Sequence, residues 1–161
     1  MARRLFAIVM TGLCLLALAG VEAAAASSRS TVGTWKLDVA KSSYGKMPPP
    51  KAEQLVITTD QPDAVAWKLI GASADGKTYI SMYNGPIDGK YHPMTGSEAG
   101  DTVAYSRTAS GLAWMTKDKS GTVISQGSNQ LSPDGGTLVV KGTVQGPKGK
   151  ENFVSVFERV Q

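Results

Sequence analysis

From Val32 onward the chain is broken by turn signals at intervals of roughly 8–12 residues, and no window between them carries a capped amphipathic helical period. Asp60-Gln61-Pro62-Asp63, Asp75-Gly76, Gly85-Pro86, Asp88-Gly89, Ser110-Gly111, Pro133-Asp134-Gly135-Gly136 and Gly146-Pro147-Lys148-Gly149 supply the breaks. Glycine and aspartate tolerate the dihedral angles of tight turns, and proline removes a ladder donor. What lies between them alternates apolar and polar residues, so the chain reads as all-β. About 8–10 strands joined by short connections favour a meander over a Greek key, and a meander of this length closes as a single antiparallel up-and-down barrel.

The segments follow in order. Val32 to Asp38 opens the set, and Lys41 to Pro50 follows as an extended connection over one end of the barrel, because Pro48-Pro49-Pro50 excludes both a helix and a sheet interior. Glu53 to Thr59, Ala64 to Ala72, Thr78 to Asn84, Thr102 to Thr108, Leu112 to Thr116, Thr122 to Leu131 and a run around Leu138 to Gly142 are the middle strands. Two short runs near Tyr91-His92-Pro93 and a polar loop from Thr95 to Gly100 interrupt them. Phe153 to Val160 closes the chain. If the first and last strands pair, the sheet shuts on itself and leaves no exposed edge.

In a barrel alternate side chains face inward. Trp67, Tyr79, Tyr83, Tyr105, Trp114, Phe153 and Phe157 either fill the interior or line a cavity for an apolar ligand. Strand alternation selects Trp67, Leu69, Met82, Tyr105, Trp114 and Phe157 as lining residues, with Arg107 as a polar anchor. A one-residue error of register would turn any of them to solvent.

Residues for catalysis or metal binding are sparse. His92 is the sole histidine, and one imidazole without cysteines makes a poor zinc site. A triad of His92 with Ser81 or Ser97 is formally possible, but in Gly96-Ser97-Glu98-Ala99-Gly100 the serine sits one place early for a nucleophile elbow. Gly146 to Lys150 lacks the spacing and hydroxyl residue of a phosphate loop. Asp60 and Asp63 read as turn residues. No catalytic residue, cofactor or metal is expected, and the chain is not read as an enzyme.

Residues Met1 to about Ala26 have the form of a signal peptide: Arg3 and Arg4, an apolar run from Leu5 to Ala19, then Ala23-Ala24-Ala25-Ala26 as a small-residue cleavage site. The run is shorter than the ~20 residues of a spanning helix. Cys14 is followed by Leu15-Leu16 inside the run, which does not suit lipidation. Cleavage removes the one cysteine, so the remaining domain, 27–161, is held by burial and backbone pairing without disulfides. A secreted or periplasmic location follows, with no membrane attachment after cleavage. Without Arg3, Arg4 and Glu22 there are 15 basic and 12 acidic residues, scattered rather than clustered, and nucleic-acid binding is not expected.

Gly33-Thr34-Trp35-Lys36-Leu37 and Val156-Phe157-Glu158-Arg159-Val160 resemble the opening and closing strands of the calycin superfamily, its fatty-acid-binding-protein branch in particular. Lipocalins share the glycine-x-tryptophan start and often set a late arginine across the tryptophan, a place open to Arg159 or Arg107. The pattern also resembles small exported bacterial lipocalin-like proteins, through Trp35 to Asp38, Lys41-Ser42 and Asp134 to Leu138. The resemblance implies a lipocalin-like barrel. It departs in two places. Lys41 to Pro50 cannot form the two lid helices of the fatty-acid-binding proteins. Their carboxylate-holding arginine and tyrosine correspond to Ser155 and Phe157, which offer no charge-assisted bond to a carboxylate; Arg107 beside Tyr105 is the substitute candidate.

The leading functional expectation is non-covalent binding of a small hydrophobic or amphipathic molecule. The alternative is a filled barrel acting as a protein-interaction or inhibitor module, with the proline loop Lys46 to Lys51 as its contact. No protein partner is named by the residues.

Overall fold

The structure, a computed structural model, describes residues 30–96, 100–146 and 149–160. The expected leader, Ser97 and the tip of the last turn lie outside them. Ten strands follow one another: β1 (Gly33–Ser43), β2 (Ala52–Asp60), β3 (Ala64–Ala72), β4 (Thr78–Pro86), β5 (His92–Pro93), β6 (Thr102–Thr108), β7 (Gly111–Lys117), β8 (Val123–Leu131), β9 (Thr137–Gly146) and β10 (Gly149–Val160). No helix occurs among the described residues. All ten form one antiparallel sheet in the order β4-β3-β2-β1-β10-β9-β8-β7-β6-β5.

The chain's two ends do pair. Thr34 to Asp38 face Val160 to Val156 in register. The seam, however, lies elsewhere. β4 and β5 are the two margins of the sheet, and among the described residues the backbone ladder that joins them is a single bridge, where Met82 and Thr95, just past β5, exchange hydrogen bonds of 2.8 and 3.0 Å. The expectation that no edge would remain is therefore corrected: the barrel is nearly closed. The cause is local. Pro86 and Pro93 cannot donate to a ladder, and the bend at Asp88–Lys90 leaves β5 only two residues long.

β1 runs further than expected, into Lys41–Ser43, through a register shift between Asp38 and Ser43. Ser42 repairs the ladder at this bulge. Its hydroxyl donates to the Asp38 carbonyl (2.6 Å) and accepts from the Val156 amide (3.0 Å).

Two apolar clusters hold the wall. Trp35, Leu37, Ile57, Leu138 and Phe157 form one, and Val65, Tyr83, Val103, Tyr105 and Leu112 the other. Trp67 packs against both. The glycine at 33 has a steric reason. Its φ is +145°, and a Cβ there would lie 2.6 Å from a guanidinium nitrogen of Arg159. With that space open, Arg159 stacks on the Trp35 ring at 4.1 Å and donates to the carbonyls of Gly135 (2.9 Å), Val32 (2.8 Å) and Ser30 (3.1 Å). Of the two arginines considered for that place, Arg159 occupies it.

Candidate functional site

The inward faces of the strands surround a cavity of 1410 Å³. This exceeds the ~300–1,000 Å³ typical of small-ligand pockets. Its central wall is apolar and aromatic: Leu55, Trp67, Leu69, Tyr105, Trp114 and Phe157 all line it. Five of these are residues chosen from sequence. Trp67 is fixed by its indole N–H, which donates to the Tyr105 hydroxyl at 2.8 Å. Burial pushes the Tyr105 phenol well above its ordinary range, only partly offset by that bond. Trp114 is stacked near Phe153, ring centres 6.3 Å apart.

The other two sequence choices fare differently. Met82 is 40% exposed, does not line the cavity, and faces outward; its neighbours Ser81 and Tyr83 are the buried residues. Both faces of β4 carry large side chains, but the tyrosines gain more by turning in: Tyr83 is buried and Tyr79 half-buried, and each hydroxyl is satisfied. Tyr83 donates to the Pro86 carbonyl (2.9 Å) and Tyr79 to Glu53. Arg107 reaches one end of the cavity, but its guanidinium is engaged. It ion-pairs with Asp60 at 2.6 Å and donates to the Gln61 carbonyl. Asp60 also accepts from the Thr31 amide (2.9 Å) and hydroxyl (2.6 Å). Burial would raise the Asp60 pKa, but the Thr31 and Arg107 bonds together hold it below the usual carboxylate range.

At the opposite end, the β1–β2 connection stands over the opening. Met47, Pro48 and Pro50 line the cavity, whereas Lys46 and Lys51 are exposed and do not. Beneath this loop lies a polar group that alternation along β2 could have exposed, since Glu53 shares the inward face of Leu55 and Ile57. Glu53 accepts a hydrogen bond from the Tyr79 hydroxyl. Tyr44 and Ser155 share another of 3.0 Å. Desolvation raises the Glu53 pKa above the ordinary glutamate value, and the Tyr79 bond offsets this only in part. His92 takes no part: it pairs with Asp88 at 3.0 Å on the outside.

A carboxyl whose pKa is raised on folding contributes stability that is full below its unfolded pKa and is lost as pH rises through the folded value. The native protein therefore carries a penalty at neutral pH that Glu53→Gln lacks. The variant is expected to unfold at higher urea concentration than the parent at pH 7, and the gap should narrow as pH falls toward 4. Equal midpoints across that range would contradict the placement of Glu53.

A hollow, nearly closed antiparallel barrel whose first strand carries glycine-x-tryptophan and whose last strand stacks an arginine on that ring is a calycin-type fold. Among solved structures, the zebrafish ileal bile acid-binding protein complexed with cholic acid is similar to it, with a TM-score of 0.50 and 16% identity. The match covers 81% of this chain and 100% of that one. At this identity the likeness is one of fold. No family model and no curated protein matches the chain.

Proposed function

We propose that this chain is an exported container that binds a small hydrophobic or amphipathic molecule inside the barrel. The observation that carries the reading is the 1410 Å³ cavity, walled by Trp67, Leu69, Trp114 and Phe157. The cholic acid complex of the similar barrel supports it by analogy. The proline loop, read as a contact surface for the alternative, turns Met47, Pro48 and Pro50 toward the cavity. The leader-like residues Met1 to Ala26 support export to the periplasm or medium.

A ligand that hides about 300 Å² of apolar surface gains roughly 7 kcal/mol before association costs. Those costs take a large share, so apolar burial gives affinity but little selectivity. An environment-sensitive hydrophobic dye tests the reading. The folded protein is expected to bind it saturably, with quenching of tryptophan emission that weakens in Trp67→Phe and in Trp114→Phe. Absence of uptake by the folded protein would overturn the container reading in favour of a packed interaction module.

A further inference from the structure

The cavity holds three charged side chains among the described residues that line it: Glu53, Asp60 and Arg107. Asp60 and Arg107 neutralise each other at one end. Glu53, at the other end, has no ion-pair partner among the described residues, and its Oε2 accepts no hydrogen bond from them. Resting on the container reading, we propose that the barrel selects amphiphiles whose head group is a hydrogen-bond donor, above all an ammonium, seated on Glu53, and disfavours carboxylates.

The carboxyl is held in place by the sheet. Glu53 faces Gly71 across β2 and β3, and Gly71 faces Tyr79 across β3 and β4. With no side chain at 71, the Tyr79 ring lies over that position, its atoms well inside 3.0 Å of where a Cβ would stand. The phenol thereby reaches Glu53 Oε1 and fixes the carboxyl from one side. Tyr44 and Ser155 add hydroxyls to the same cavity. The apolar wall then receives the tail, and the loop residues Met47 and Pro48 border the head.

The physical argument is one of compensation. A carboxyl removed from water without a counter-charge is driven toward its neutral form. An incoming ammonium supplies the missing charge and a charge-assisted hydrogen bond. A neutral alcohol donates a hydrogen bond but supplies no counter-charge. A carboxylate head adds a second negative charge beside Glu53, and Arg107, the one arginine lining the cavity among the described residues, is already bound to Asp60.

Dodecylamine, dodecanol and dodecanoate share one tail and separate the alternatives. Each is titrated at pH 7, below its micelle concentration, in competition with the hydrophobic dye on the native protein. The amine is expected to bind at least tenfold more tightly than the alcohol, and the carboxylate at least tenfold more weakly. Glu53→Gln should bring the amine to the alcohol's affinity and weaken the alcohol severalfold less than the amine. If Glu53→Gln does not fold, the pH dependence on the native protein replaces it. Amine affinity should fall as pH is lowered through the titration of Glu53, while alcohol affinity holds. Of the groups facing Glu53, burial pushes the Tyr44 phenol further above its ordinary range, and Asp60 is held below the usual carboxylate range at the distant end. Binding of dodecanoate equal to or tighter than the amine, or an amine affinity unmoved by both Glu53→Gln and acid, would overturn the proposal and leave the container intact. Failure of the dye and all three probes would overturn the container itself, and the proposal with it.

Discussion

Replacing Trp35 with alanine is expected to destabilise the barrel by about 3–5 kcal/mol, the range for deleting a large aromatic from a packed core. Against a total of roughly 5–15 kcal/mol for a domain, that removes from about a fifth to the whole of the folding free energy. Trp35 is 0% exposed and sits among Leu37, Ile57, Leu138 and Phe157. Its backbone is paired on both sides, with Leu55 of β2 and Arg159 of β10. Its indole N–H donates to the Thr31 carbonyl at 2.9 Å, which ties down the segment before β1. Arg159 loses its stacking surface in the variant but keeps its carbonyl acceptors, so the residual structure should concentrate on the pairing of β9 with β10. Urea unfolding followed by emission of the remaining tryptophans, Trp67 and Trp114, measures the effect. A shift within about 0.5 kcal/mol, the range of ordinary surface substitutions, would show that the junction of first and last strands is not the anchor of the fold. Trp35→Phe should fall between parent and alanine.

That junction was legible in the sequence because its signals are local. Gly33, Trp35 and Arg159 stand on two strands whose alternation is regular, and Asp75-Gly76, Asp88-Gly89 and Asp134 to Gly136 mark turns by backbone chemistry that needs no distant partner. The strands from Ala64 to Ala72 and Thr102 to Thr108 match their expected bounds. The seam between β4 and β5 was not legible. It depends on how far a two-residue strand can extend, which alternation does not report. The inward face of β4 failed for a related reason. Hydropathy favours Ile80 and Met82 over Tyr79, Ser81 and Tyr83, and only the positions of Glu53 and the Pro86 carbonyl show that the phenols are satisfied inside. Arg107 lines the cavity, yet its pairing with Asp60 joins β6 to the end of β2, a contact across 47 residues of sequence that alternation does not report. Glu53 carries only the weak signal of sharing the inward alternation of Leu55 and Ile57. A polar residue at a strand start resembles a solvated one, and its meaning comes from the empty position at Gly71, across which Tyr79 reaches it from two strands away.

A second row of this kind runs across four strands, and Gly142→Ala is expected to cost about 3 kcal/mol, the upper part of the range for overpacking. Trp114 faces Gly127, Gly127 faces Gly142, and Gly142 faces Phe153. The two glycines form a floor without side chains on which the flanking rings lean toward each other, ring planes 27° apart. A Cβ on Gly142 would stand well inside 3.0 Å of the Gln126 carbonyl oxygen and 3.0 Å from the Gly127 Cα. A Cβ on Gly127 would meet the Lys141 carbonyl and, at 2.7 Å, Trp114 Cζ2. Backbone atoms cannot swing away as a flexible side chain can, so the strands must separate and the pairing of β8 with β9 weakens. The same displacement would move the Trp114 and Phe153 rings that line the cavity. The urea midpoint should therefore drop together with dye affinity, and the Trp114 emission should change before unfolding begins. Gly136→Ala is the matched control. The nearest atoms to a Cβ there are those of the Asp134 carboxylate at 3.6–3.7 Å, so its cost should stay within about 0.5 kcal/mol. Equal behaviour of the two variants would show that the glycine floor does not set the spacing of the rings, and that the cavity's shape is held by the aromatic side chains alone.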